Sequence, residues 1–363
     1  MSDQRLARQR KLRDAIVEAH LDGLLVSGLS NIRYLTGFTG SNALLLITAT
    51  RALLITDFRY KTQASEECTG SCDVRIEQAS LWNGLWDALP GMSGLHALGF
   101  EAAQLLVRDH LRIIEKNERW HWRPTTDLVE RLRGQKDAGE IKLIQKAAHV
   151  ATDALAATLD AVRLGQSELE ICGILERQLR ACGSYAHPFA PIVASGERSA
   201  LPHARPSKRV VLPGDLLLLD FGATVDGYCS DITRTVVVGS ADARQREVYE
   251  VVREANQRAA AGVVAGMTGM AADAIARDWI ASQGLGDAFG HGLGHGIGLD
   301  VHESPRLSRL SDETLLESAV VTIEPGVYVP EWGGVRIEDD VVVTPTGATV
   351  LTEFPRDLIE VGQ

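Results

Sequence analysis

Four carboxylates stand against runs of apolar residues, where a soluble fold does not normally leave acids. Asp220 directly follows Leu216-Leu217-Leu218-Leu219, and Asp231, eleven residues on, opens the β-branched run Ile232 to Val238. Glu324 closes the run Val320 to Ile323, and Glu338 ends Val335-Arg336-Ile337-Glu338 with Asp339 and Asp340 behind it. A carboxylate beside a buried strand is costly unless something neutralises it. A lone Asp at a strand end is usually a turn former, but four acids gathered in a dry site would repel one another strongly. Cations remove both difficulties, because bridging carboxylates hold a metal pair roughly 3–4 Å apart. A turn at Asp226-Gly227 could fold Asp220 and Asp231 into one hairpin.

Histidines collect in the same half of the chain. His291, His295 and His302 lie in the stretch from Gly290 to Glu303, and His203 lies in Leu201-Pro202-His203. Five glycines interleave with His291 and His295, so this is not the helix that presents two zinc-binding histidines at i and i+4. Neither does any window there fit the dinucleotide pattern G-x-G-x-x-G. Glycine lets backbone approach a substrate or metal closely, and neutral imidazole beside carboxylates suits Mn, Fe, Co or Zn.

The chain's 363 residues suit two domains. Its formal charge of −11 argues against a nucleic-acid partner, which would call for a basic stripe. No run of 18 uncharged apolar residues is present, so no membrane partner is expected. The first 20 residues are charged throughout and lack an apolar core. With an odd count of five cysteines, this points to the cytoplasm. Cys68 and Cys72 have no second close pair and read as ordinary thiols.

The first third alternates strand-like and helical stretches: a helix over 6–20 with Leu6, Leu12, Ile16 and Val17 as its apolar positions, then strands at 24–26, 42–47, 52–55 and 97–100. This is an α/β unit over residues 1–130. A polar, glycine-containing linker is expected over 131–136, and an α+β domain over 137–363. In that domain Ile141, Ile144, Ala148, Ala151 and Leu155 form a helical stripe. Ser167 and Glu170 read as a capping box, and Gly183 as a stop. Gly165-Gln166-Ser167 and Gly266-Met267-Thr268, 101 residues apart, each precede an apolar helix and each follow a longer one. That pairing suggests an internal duplication.

At these residues the chain resembles the pita-bread metallopeptidases: methionine aminopeptidase, aminopeptidase P and prolidase. The matching pieces are Asp220-Phe221-Gly222, Asp231-Ile232-Thr233-Arg234, Gly294-His295-Gly296-Ile297-Gly298, Ile323-Glu324-Pro325-Gly326 and Arg336-Ile337-Glu338-Asp339. The resemblance covers roughly residues 137–355 and implies a pita-bread catalytic domain with an internal pseudo-twofold repeat. It implies two divalent metal ions, manganese ahead of cobalt, zinc or iron. Asp220 would chelate one ion, His295 and Glu324 the other, with Asp231 and Glu338 bridging. A metal-bridging hydroxide would attack the scissile carbonyl, and Glu324 would shuttle the proton. His203 and His302 would stabilise the tetrahedral intermediate, His291 would line the substrate pocket, and Tyr328 and Arg336 would stand behind the first metal-binding aspartate.

Tyr34-Leu35-Thr36-Gly37-Phe38 and Thr56-Asp57-Phe58-Arg59-Tyr60 resemble the creatinase/prolidase-like N-terminal domain of aminopeptidase P and prolidase. The stretch Ile192 to Gly196, continuing to Leu201-Pro202-His203, resembles small bacterial Xaa-Pro peptidases. The expectation is therefore an Xaa-Pro aminopeptidase acting on peptides with proline at the second position, and forming a homodimer. The alternative is a prolidase acting on Xaa-Pro dipeptides, whose free carboxylate an arginine suits. Arg198, Arg205 and Arg336 are candidates for that contact. A non-catalytic pita-bread binding protein and an unrelated two-metal phosphoesterase are remoter readings. The filled ligand set argues against the first, and the order of the motifs against the second.

Overall fold

The computed structural model describes residues 2–116 and 119–362. The chain divides into two compact units, Met1–Arg133 and Gly134–Gln363. Residues 131–133, expected in a linker, are instead the end of a short helix, Leu128–Arg133.

The first unit has six strands, β1 (Gly23–Val26), β2 (Ala43–Thr48), β3 (Ala52–Asp57), β4 (Asp73–Glu77), β5 (Ala97–Glu101) and β6 (His121–Thr125), with helices between all but β2 and β3. They form one sheet in the order β4-β3-β2-β1-β5-β6, parallel except where β2 pairs with β1 and β3. The helices are α1 (Ser2–Glu18), α2 (Leu29–Thr36), α3 (Lys61–Glu67), α4 (Leu81–Ala88), α5 (Val107–Ile114) and α6 (Leu128–Arg133). On α1 only part of the expected stripe is inside. Leu12 and Ile16 are buried, while Leu6 and Val17 are exposed. Gln9 takes the place next to Leu12 on the inner face, donating to the Leu35 and Ser71 carbonyls at 3.0 and 2.8 Å.

The second unit is a pair of similar halves. In the first, α7 (Ala138–Leu159) and α8 (Glu168–Cys182) pack on strands β7 (Ile192–Ser195), β8 (Leu216–Phe221) and β11 (Ile232–Val238), with the small hairpin β9 (Thr224–Val225) and β10 (Tyr228–Cys229) between the last two. In the second, α9 (Ala243–Gly262) and α10 (Gly269–Ser282) pack against β14 (Val320–Ile323), β16 (Gly333–Arg336) and β17 (Asp339–Thr344). Strands β12 (Gly294–Gly296), β13 (Glu303–Leu307), β15 (Gly326–Val329) and β18 (Gly347–Val350) complete it, while β19 (Glu360–Val361) returns to pair with β11. Two sheets result, β19-β11-β8-β7 and β13-β12-β14-β17-β18, with β15 and β16 as a separate hairpin.

Local chemistry explains why the halves look alike. Asp137 and Asp242 each cap the longer helix of a pair through a complete capping box, with Glu140 and Gln245 as the reciprocal partners. Ser167 and Thr268 cap the shorter ones through Glu170 N and Ala271 N. Between β9 and β10, Asp226 and Gly227 both have positive φ, +46° and +81°, as a two-residue type I′ hairpin requires. No helix among the described residues is long and apolar enough to cross a membrane.

Candidate metal centre

Strand register brings the acids together from both halves. β8 and β11 are antiparallel with Asp220 opposite Thr233, so Asp220, Thr233 and Asp231 share one face. Glu324 follows β14 and Glu338 precedes β17, which pair antiparallel with Ile323 opposite Asp339. His295 lies on β12, held through its N–H by the Thr322 hydroxyl at 3.1 Å.

Three residues converge tightly: one ligand atom each from Asp231, His295 and Glu338 lie within 4.8 Å of one another. Glu324 joins them with Oε1 3.5 Å from His295 Nε2. Asp220 is turned toward Arg336, which donates to its Oδ2. The same guanidinium donates to the Tyr328 hydroxyl at 2.6 Å and to the Pro202 carbonyl at 3.3 Å. Tyr328 in turn bonds His291 Nε2 at 2.9 Å. His302 is exposed, its ring 4.4 Å from that of His295. His203 is also exposed, and its charge acts on both His291 and His302.

The electrostatics of this cluster are those of a cation site. Burial, then the charges of Glu338 and Asp220, pushes Asp231 well above the usual carboxylate range. Burial, Glu324 and Asp220 do the same to Glu338. Burial and Asp220 raise Glu324 to about 8 against the opposing pull of Arg336. Two buried carboxylate oxygens there, Asp231 Oδ1 and Asp340 Oδ1, have no hydrogen-bond partner among the described residues. Burial lowers His291 and His295 to about 4, so both imidazoles are neutral at pH 7 and able to ligate. A divalent ion fits this donor set of carboxylate oxygens and neutral imidazole.

A metal-stripped protein should pay for that crowding as pH rises. Glu324 holds its proton up to about 8 when folded, far above the ordinary carboxylate range. A folded state that holds more protons than the unfolded one loses stability with rising pH. The stripped protein is expected to melt roughly 5 °C or more lower at about pH 8.5 than at about pH 5.5, whereas the metal-loaded protein should show a much flatter profile. Thermal melts at the two pH values check this; equal slopes would mean that the acids are not crowded.

Supporting residues absent from the sequence expectation also emerge. The Thr233 hydroxyl bonds Glu338 Oε2 at 2.5 Å and accepts from Arg336 Nε at 3.1 Å. Asp340 Oδ2 accepts from Asp231 N at 2.9 Å. Buried Asp273 accepts from Leu293 N and pairs with Arg277, which donates to the His291 carbonyl. Arg306 is exposed, stands opposite His295 across β12 and β13, and lowers the pKa of His295 and His302 through its charge. The period-two pattern could have pointed to Thr233, two residues after Asp231. Arg198, by contrast, is bound to Glu168 at 3.1 Å, and Arg336 to Asp220. Arg205 is exposed.

Two similar halves that meet over buried carboxylates and imidazoles define a metal-dependent hydrolase. The chain belongs to metallopeptidase family M24, whose model matches residues 142–345, and residues 8–135 match the creatinase/prolidase N-terminal domain. Its structure is similar to that of an Xaa-Pro dipeptidase from Bacillus anthracis, with a TM-score of 0.94 and 41% identity over 98% of this chain and 100% of that one. An X-Pro aminopeptidase from Thermotoga maritima superposes with a TM-score of 0.90 at 37% identity, over 97% and 99% of the two chains. An Xaa-Pro dipeptidase from Pyrococcus horikoshii is 36% identical over 96% of this chain and 98% of its own. The pita-bread fold with its creatinase-like first domain is thus the fold of this protein.

Proposed function

We propose that this chain is an Xaa-Pro dipeptidase that uses two divalent metal ions. The aminopeptidase reading favoured from sequence yields to its alternative. Relatives named Xaa-Pro dipeptidase align over nearly the whole chain. The observation that carries the choice is Arg306, an exposed guanidinium opposite His295, suited to the free carboxylate of a dipeptide.

In this reading Asp220, Asp231, His295, Glu324 and Glu338 would hold the two ions. When bound, such ions supply Lewis acidity and a nucleophile from water at neutral pH. Glu324 takes up a proton at its carboxylate and passes it to the departing proline nitrogen. His203 and His302 donate to the oxygen on which charge develops. His291 and Tyr328 line the pocket, and Arg336 fixes the orientation of Asp220. Manganese is the proposed metal. The five cysteines, all free, suit a reducing cytoplasm.

The test is to strip the metals, restore Mn, and offer one Xaa-Pro dipeptide beside one Xaa-Pro-Xaa tripeptide. Fast release of the first residue from the dipeptide alone is expected. Preferential cleavage of the tripeptide would return the assignment to aminopeptidase P, the reading that the Thermotoga maritima structure favours.

A homodimer is proposed as well. On α5, Val107, Leu111 and Ile114 form an apolar stripe that is 75%, 54% and 51% exposed. Sedimentation should show a dimer that Leu111→Glu dissociates; a monomeric wild type would dismiss the pairing.

A further inference from the structure

One buried ion pair lies behind the histidines and takes no part in the chemistry above. Lys136 Nζ sits 3.3 Å from Glu303 Oε2, and the two side chains are only 1% and 7% exposed. The other carboxylate oxygen of Glu303 accepts from Asp300 N at 3.0 Å. Glu303 directly follows His302 and pairs across the strands with Gly296, the neighbour of His295, where the register shifts. A Cβ on Gly298 would come within 2.8 Å of the same carboxylate, so the glycine leaves the space that Glu303 fills. At the other end, Lys136 is tied down through its N–H, which donates to the Ser318 carbonyl at 3.1 Å.

The Glu303 carboxylate thus closes the loop between His295 and His302, and the Lys136 ammonium pairs with it. We propose that Lys136 and Glu303 are positioning residues that set the His302 imidazole against His295 for the reaction. This rests on the peptidase reading, in which His302 donates to the developing charge. Such a donor works only while its geometry is held, and misplacement by about 1 Å costs about 10²-fold.

The test is a cycle between the pair and His302. Removing one partner would strand a buried charge, so the main variant is Lys136→Met/Glu303→Gln, made in the wild-type and His302→Ala backgrounds. The Mn-loaded variant is expected to keep its metal content and its KM for an Xaa-Pro dipeptide. Its kcat should fall by about 10- to 10²-fold, yet by less than about twofold where His302 is already Ala. Lys136→Arg, which keeps the charge, should recover most of the loss. An equal loss in both backgrounds, or a lower melting temperature with unchanged kcat, would overturn the proposal.

A second readout needs no activity. In the metal-free protein the ring proton signals of His302, assigned by their loss in His302→Ala, should be displaced by the His295 ring, whose centroid lies 4.4 Å away. They should move toward free-histidine positions in Lys136→Met/Glu303→Gln, and in Lys136→Met alone if the double variant does not fold. Unmoved signals would reject the positioning role. A wild type that cuts no Xaa-Pro peptide would reject the substrate reading, while the ring signals would still decide for or against the ion pair.

Discussion

Glu338→Ala is expected to leave the folded protein with less than a full pair of divalent ions and to lower turnover by about 10³-fold. The expectation comes from where the carboxylate stands. It is buried, its Oε2 is 2.5 Å from the Thr233 hydroxyl, and one of its oxygens lies within 4.8 Å of ligand atoms from Asp231 and His295. A carboxylate proposed to hold both ions could not be replaced by water without loosening both. Asp231→Ala should behave alike, since Asp231 Oδ1 has no other partner. Metal analysis beside steady-state kinetics checks the point. A fully metallated, active Glu338→Ala protein would mean that the centre lies elsewhere.

A second substitution at the same position has an opposite consequence. Burial and its acidic neighbours raise the pKa of Glu338, so ionising it in the stripped protein is unfavourable. Glu338→Gln removes that charge while keeping the shape. Stripped of metal at about pH 8, this variant should melt above the stripped wild type; with metal supplied, it should melt below it. This crossing separates a ligand from an ordinary buried acid, which would shift both melts in one direction.

The acids were legible because few arrangements tolerate them. Asp220 behind four leucines, and Glu324 behind Val320 to Ile323, had to meet a cation or a paired base. The glycines around His295 were legible for a similar reason, since they excluded a helix. The capping box marked Ser167 as a helix start, while the N-caps Asp137 and Thr268 stand where the sequence suggests only that a helix begins nearby. What stayed hidden depended on tertiary register. Nothing near Lys136 announces that it will meet Glu303, 167 residues away. Leu6 and Val17 fit an apolar stripe, yet the inner face of α1 was settled by Gln9 reaching two carbonyls. Arg306 is not legible in the sequence, because its place opposite His295 lies beside a register shift between His295 and Gly296 that no periodicity reveals.

Arg306 is where the remaining choice of substrate can be decided. A dipeptide ends in a carboxylate next to its proline ring, whereas a tripeptide carries a neutral amide there. Arg306→Ala is therefore expected to lower kcat/KM for an Xaa-Pro dipeptide on the order of 10²-fold, the usual cost of truncating one partner of a charged hydrogen-bonded pair. Arg306→Lys should recover part of it, since an ammonium keeps the charge but loses the two-pronged geometry. Cleavage of a tripeptide, already slow, should change little. An equal loss for both substrates would carry a different meaning. Because the charge of Arg306 also lowers the pKa of His295 and His302, a shared loss would show that it acts through the imidazoles and not on the peptide's end. The carboxylate would then need another partner, and exposed Arg205, two residues after His203, is the next to test.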